Sequence, residues 1–326
     1  MSVYATPEML DPADAVPDST IMMAGQGRNP LAQSPATDPH FQEGFASISR
    51  RYALGLGYAM RPARLHNMPH VLRLTSEYLA RPKAAEQRFI QPVYIGPEGL
   101  IGVKEDLSPA SLLDGYRRGM FPFCHLGPMK WWSPASRPVL HPQETRIEKN
   151  LRRLIRQGKY TVTFDTAFAD VMRACAEPRP GKTPLTWITP KIMRAFWRLH
   201  QAGHAHSVEV WDTNGQLVGG LYGLATGGIF FGESQFSTVR DASKIAVATL
   251  HCHLAQWGFV LRDAKWQTDH LVSLGFRVKD RGEFLDTLRE HAWKPGKVGR
   301  WCIDDNLDVS AWQPSGAQFD GANGGV

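Results

Sequence analysis

At 326 residues, 43% apolar and 21% charged, the chain has an ordinary globular composition, enough for one large domain or two modest ones. A formal charge of +6 and a pI near 9.2 favour a polyanionic partner such as nucleic acid. The dispersed Cys124, Cys175, Cys252 and Cys302 exclude a C-x-x-C zinc ribbon and a disulfide framework, and no apolar run is long enough for a bilayer, so a soluble, cytoplasmic chain is expected.

Residues 1–41 are rich in Pro, Asp, Ser, Gln and Gly without hydrophobic period, which predicts a flexible tail. From Phe45 to Arg88 the chain turns basic and helix-compatible, so residues 1–88 read as a flexible or helical basic extension. Its cations serve either a solvated face or an arm that touches phosphate.

Residues 89–142 are expected to form a small N-terminal α/β domain. Ser108-Pro109 starts a helix, with Ser as cap and Pro at the first position, and Leu112, Leu113 and Tyr116 follow at helical spacing until Gly119 stops it. Beyond it Phe121, Phe123, Trp131 and Trp132 crowd a Pro-rich loop flanked by Arg117, Arg118, Lys130 and Arg137. Rings bracketed by cations make a stacking platform for an unpaired base, unless they are simply core.

Residues 143–303 carry the denser pattern. Ile147–Gln157 reads as a basic amphipathic helix, Tyr160–Phe164 as a strand and Thr166–Ala176 as another helix. Residues 179–184 break regular structure and predict a loop over a pocket, before Trp187 and a helix opening at Pro190. His200, His204 and His206 invite a metal, but Gly203 interrupts the helix and spacing fixes no third ligand, so none is expected. Asn214-Gly215 is a hairpin turn.

Val218–Ala225 and Ile229–Phe236 form a second hairpin about Thr226-Gly227-Gly228. Gly219, Gly220, Gly223 and Gly232 imply that another backbone or a ligand comes close to it. Asp241 or Ser243 caps a following helix, with Ala246, Leu250, His253, Leu254 and Trp257 on one face and Gly258 at its end. Phe259–Lys265 is a predicted strand and Thr268–Leu274 a short helix, leaving residues 304–326 as a tail. This order, α+β in class, looks like the later half of a GNAT-like acetyltransferase. Yet Ser237–Ser243 stands where a glycine-rich phosphate loop would precede the helix, so coenzyme A is not expected. Glu233, in Gly-Glu-Ser, and Asp263, near a strand end, are placed for one cleft; Asp263 and Lys265 share a face if the strand persists.

The motifs DLSPASLLDGYRRGMFPF, KWWSP, TWIT, GHAHSVEVW, LVGGLYGLATGGIFFGESQFS, ASK and TDHLVSLG, in this order, resemble the leucyl/phenylalanyl-tRNA-protein transferase family across roughly Phe89 to Leu288. The resemblance implies a GNAT-like C-terminal domain, a smaller N-terminal domain at the tRNA cleft, and no metal or cofactor. It also implies transfer of Leu or Phe from the aminoacyl-tRNA 3′ end to the N-terminus of an acceptor protein, a step in N-degron formation and protein degradation. By position in the motifs, Asp263, Glu233 and Lys265 fall at the catalytic places, and Trp131, Trp132, Trp187, Leu221, Gln235 and Arg262 at substrate-binding ones. The chain departs from the family pattern at Lys104-Glu105 and at Lys265, where glutamine is usual, and Gln235 and Arg262 stand at usually apolar positions. Alternative readings are a transferase with a different donor or acceptor and a non-catalytic RNA-binding relative.

Overall fold

Two sheets set the position of every candidate residue. The computed structural model describes residues 41, 45–61, 65, 67–81, 89, 92–178 and 185–315. Of the tail expected over residues 1–41 only Phe41 is described, and it is buried in the core; the loop expected over 179–184 lies outside the described residues. Strands β1 (Leu100–Val103), β2 (Phe121–Pro122) and β3 (Lys130–Trp132) form a small antiparallel sheet in the order β1-β3-β2. The larger sheet contains β4 (Ser136–Leu140), β5 (Thr161–Phe164), β6 (Ala205–Trp211), β7 (Leu217–Thr226), β8 (Ile229–Ser237), β9 (Leu261–Asp263) and β10 (Arg277–Asp280). Its order is β10-β4-β9-β8-β7-β6-β5, with β8 and β9 parallel and the other pairs antiparallel.

The described helices are α1 (Phe45–Ala59), α2 (Met68–Ala80), α3 (Pro109–Arg117), α4 (Lys149–Arg156), α5 (Phe168–Ala176), α6 (Pro190–Gln201), α7 (Ala242–Gln256), α8 (Asp269–Ser273) and α9 (Arg281–His291). Helix α3 starts as its sequence predicts: the Ser108 hydroxyl accepts the Ser111 N–H at 3.3 Å and Pro109 leads the first turn. Helix α6 repeats the device with Thr189 and Pro190. Helix α7 differs. Asp241 precedes it in a left-handed conformation, φ 65°, and makes no side-chain cap; the Ser237 hydroxyl instead accepts the Ser243 N–H at 3.2 Å. Among the described residues no helix is long and apolar enough to cross a membrane.

Alternation along the strands separates two cores. Tyr222, Leu224, Phe231 and Leu261 pack with Val171, Met172 and Phe196 of α5 and α6 on one face. Val208, Leu221 and Phe230 pack with Ile245, Leu250 and Leu254 of α7 on the other. Each fully buried Leu, Ile or Phe contributes about 1.5–3 kcal/mol, so both faces are held by substantial apolar burial. Close approach of the chain explains Gly219, Gly220 and Gly223, whereas a Cβ on Gly232 would come no nearer than 3.4 Å to the Arg262 side chain. A Cβ on Gly219 would meet that of Ala242 at 2.6 Å, so glycine lets α7 lie close on the sheet.

Two expected boundaries look different in three dimensions. Strand β4 lies within residues 89–142, yet it is inserted between β9 and β10 of the large sheet. Residues 304–315 are packed: Arg152 donates to the carbonyls of Ser310 at 2.8 Å and Trp312 at 2.5 Å, and the Trp312 indole donates to Thr145 O at 3.1 Å.

Candidate active site

The site forms where β8 and β9 run in parallel, with Phe231 registered against Asp263. Along β7 and β8, Gly223 pairs with Gly232 and Tyr222 with Ser234, which leaves Glu233 as the extra residue of a β-bulge. Two places on from Phe231, its side chain points to the same face and towards α3. There the Tyr116 hydroxyl donates to Glu233 Oε1 at 2.6 Å, and Lys265 Nζ forms an ion pair with Glu233 Oε2. Lys265 Nζ also lies 3.4 Å from Tyr116 Oη.

Three rings complete the enclosure of that ammonium. Their centroids are 5.4 Å (Tyr116), 5.1 Å (Phe121) and 5.5 Å (Trp187) from Lys265 Nζ. Ring faces attract cations, so one carboxylate and three aromatic faces define a compact place for a primary ammonium group. Burial pushes Glu233 up and Lys265 down, while the attraction between them opposes both shifts. Burial and the adjacent Glu233 push the Tyr116 hydroxyl well above its ordinary value, so it stays a donor.

Lys265 reaches this position by a route the alternation rule does not give. Strand β9 stops at Asp263, and Lys265 turns through a left-handed backbone with φ 67°. Asp263 Oδ1 accepts the Lys265 backbone N–H at 3.3 Å and thereby holds the turn. Asp263 is itself gripped by Arg137, whose Nε and Nη2 donate to its two oxygens at 2.9 and 2.7 Å.

The structure thus brings together Glu233, Asp263, Lys265 and Trp187. Trp132 lies behind them, mostly buried, its indole donating to Phe123 O at 2.8 Å and its ring 6.5 Å from Trp266. Trp131, expected to face substrate, is packed in the core of this structure. It is 1% exposed, donates to Lys104 O at 3.0 Å, and packs so tightly on α3 that a Cβ on Gly115 would come within 2.3 Å of it. Leu221, Gln235 and Arg262 lie across the sheet from Glu233: Leu221 packs in the α7 core, Gln235 registers opposite it, and Arg262 registers with Phe230. Sequence reasoning misses Tyr116 and Arg137 as site residues. In sequence, Tyr116 reads only as an apolar position of a helix and Arg137 only as one of four flanking cations.

The histidines have structural partners. His206 Nδ1 lies 2.9 Å from Asp165 Oδ2, and its ring stacks on Trp301 with centroids 3.6 Å apart. His200 Nδ1 lies 2.8 Å from Ala205 O. Among the described residues no group of three or more His, Cys, Asp or Glu side chains is arranged to hold a metal ion.

Residues 139–289 match the family model for leucyl/phenylalanyl-tRNA protein transferase, and residues 105–135 match the model for its N-terminal domain. The chain is 52% identical over 206 residues to the leucyl/phenylalanyl-tRNA–protein transferase of Pseudomonas fluorescens, covering 63% of this chain and 90% of that protein. The chain belongs to the leucyl/phenylalanyl-tRNA protein transferase family. Its Aromatoleum aromaticum relative of the same name is 49% identical over 216 residues, covering 66% of this chain and 90% of that protein. For the Solidesulfovibrio magneticus relative the values are 45% over 231 residues, 71% and 93%. Among solved structures, L-PGS from Bacillus licheniformis aligns over 50% of this chain and 55% of that chain at 10% identity and a TM-score of 0.28, too low to carry a fold argument.

Tyr116, Trp187, Glu233, Asp263 and Lys265 all fall within the segments that the family models match, whereas α1 and α2 precede them. On the far face, the Arg262 guanidinium is 6% exposed, bonds to His251 Nε2 and sits 5.5 Å from the Phe276 ring centroid. Burial lowers its pKa to about 10, and its Nε has no hydrogen-bond partner among the described residues.

Proposed function

We propose that this chain is an aminoacyl-tRNA–protein transferase that moves Leu or Phe from tRNA to the N-terminal amine of an acceptor protein in the cytoplasm. The product would carry a new N-terminal residue of the kind that marks a protein for degradation. The family identity supplies the reaction class. The observation that carries the site assignment is the ammonium of Lys265 held between Glu233 and the rings of Tyr116, Phe121 and Trp187. A site so lined suits a reaction in which one substrate is a primary amine. The order of β7, β8, α7, β9 and α8 supports a GNAT-like arrangement of this catalytic region.

The acceptor nitrogen attacks the ester carbonyl carbon; a C–N bond forms and the bond from that carbon to the ribose oxygen breaks. The proton lost by the amine ends on the ribose oxygen. An α-amine with pKa near 8 is partly neutral at cellular pH, and the ester is already activated. Holding the two together can contribute about 7–11 kcal/mol, so orientation dominates. Glu233 attracts the amine of a substrate, and Lys265 faces the carbonyl oxygen as it becomes negative. Asp263, with its oxygens engaged by Arg137 and the Lys265 N–H, positions Lys265.

Lys265 favours a second reading, transfer with a different donor or acceptor, because its ammonium occupies the place beside Glu233 that the amine of a substrate would take. A panel of labelled aminoacyl-tRNAs with peptides of varied N-termini separates the two. Transfer of Leu or Phe supports the first, and transfer restricted to another donor supports the second. Binding of tRNA without transfer to any peptide would identify a non-catalytic RNA-binding relative, and transfer from acetyl-CoA alone would overturn the donor class.

A further inference from the structure

Beside the amine site lies a second recess, of about 520 Å³, within the ~300–1,000 Å³ typical of ligand pockets. It opens between α1, the segment joining β2 to β3, and the start of α6. Arg51 and Tyr52 of α1 line it with Lys191 and Arg194 of α6, against Glu105, the one carboxylate among the described lining residues. Glu105 pairs with Lys191, so the lining retains an excess of positive charge. Thr189 and Pro190 also line it, which turns the first turn of α6 and the positive end of its helix dipole towards the space. Tyr52 is 52% exposed, with the Arg51 guanidinium 5.3 Å from its ring centroid.

Cations for phosphate and an exposed ring for a base are what a single-stranded nucleotide needs. A chain of packed rings links the wall of the recess to the amine site. The His125 ring on its wall meets Phe123 edge-on at 5.1 Å, Phe123 lies 5.7 Å from Trp187, and Trp187 faces Lys265. With Trp187 this close, a strand whose aminoacylated terminus lies there can lead its preceding phosphates past Thr189 towards these cations.

We infer that the recess holds the unpaired nucleotides immediately 5′ of the aminoacylated adenosine, with Arg51 on a phosphate and Tyr52 under a base. The identity of the strand rests on the transferase reading above. Helix α1 lies outside residues 105–135 and 139–289 that the family models match, so this wall is an addition to the matched core.

The test uses the full chain, with Arg51→Glu, Arg51→Lys and Tyr52→Ala, and two readouts. One is the salt dependence of binding to deacylated tRNA. The other is the ratio of kcat/KM for aminoacyl-tRNA to that for 3′-aminoacyl-adenosine, which lacks the preceding nucleotides. Arg51→Glu is expected to lower the slope of log K against log[salt] by about 1 and the ratio by about tenfold, with Arg51→Lys restoring the slope. Tyr52→Ala is expected to lower the ratio about tenfold through lost stacking while leaving the slope unchanged. An unchanged slope in Arg51→Glu, or equal losses with both donors, overturns the inference. Wild-type chain that transfers from neither donor but binds tRNA with an Arg51-dependent slope would sink the transferase reading and leave the recess assigned. Active wild-type chain with an Arg51-independent slope would do the reverse, keeping the transferase reading and removing the nucleotides from the recess.

Discussion

Arg137 and Asp263 meet as a two-pronged ion pair, 2.9 Å from Nε to Oδ1 and 2.7 Å from Nη2 to Oδ2, with side chains 1% and 0% exposed. Arg137 Nη1 also donates to Gly119 O at 2.7 Å, joining the end of α3 to the large sheet, and its guanidinium lies 4.1 Å from the Phe284 ring centroid. Removing one partner leaves the other charge buried and uncompensated, which costs far more than the pair itself contributes. Arg137→Met is expected to lose about 3–5 kcal/mol in urea unfolding. Arg137→Lys should also be destabilised, because a single ammonium cannot reproduce the fork. A loss below about 1 kcal/mol in Arg137→Met would show that water reaches Asp263 and screens it.

Tyr116 gives a second prediction, because its hydroxyl supplies Glu233 with a hydrogen bond that favours the carboxylate form. Tyr116→Phe keeps the ring of the cage and deletes only that donor. Stability should fall by about 1–3 kcal/mol, the cost of leaving a buried acceptor less satisfied. The Glu233 pKa, already raised by burial, should rise further, so the acid limb of the pH–rate profile moves to higher pH. An unmoved acid limb would mean that Glu233 does not set it.

Much of this architecture is legible in the sequence because it follows from local rules. Ser108-Pro109 and Thr189-Pro190 announce two helices, and Gly227-Gly228 a hairpin, since caps and turns need only neighbouring residues. Glu233, Asp263 and Lys265 are legible as a group through the motifs around them. What joins them is not: the Arg137 pair spans 126 residues and the Tyr116 bond 117, and no periodicity encodes such contacts. Alternation misplaces the origin of Lys265, because the strand ends at Asp263 and a left-handed residue takes over. Ring count in a Pro-rich loop leaves open which ring is core, and it is Trp131 that α3 covers.

Lys265 is the residue on which the proposed chemistry turns. If its ammonium supports the developing oxyanion, Lys265→Gln should lower kcat by about 10²-fold with a smaller effect on KM, since the interaction strengthens only in the transition state. Lys265→Gly separates backbone from side chain: it removes the ammonium but suits φ 67°, so it should lose comparable activity without backbone strain. Unchanged or increased turnover in Lys265→Gln would assign the lysine to filling the amine place in the substrate-free chain instead.

His251 supplies a prediction about pH and stability. Its Nε2 accepts from Arg262, which requires a neutral ring, and burial followed by the Arg262 charge pushes its pKa well below 6.5. The unfolded chain therefore binds this proton at a higher pH than the folded one, and stability falls as pH drops below about 6.5 towards the folded value. One such group contributes a slope of at most about 1.4 kcal/mol per pH unit. His251→Gln retains an acceptor for Arg262 and removes the titration, so its denaturant midpoint should change less between about pH 7 and 5 than that of the wild type. The curve should not become flat, because burial also lowers the pKa of His200, His204, His206 and His253. Parallel curves for the variant and wild type over that range would mean that His251 protonates equally in the folded and unfolded chains, and the neutral acceptor role would fall with it.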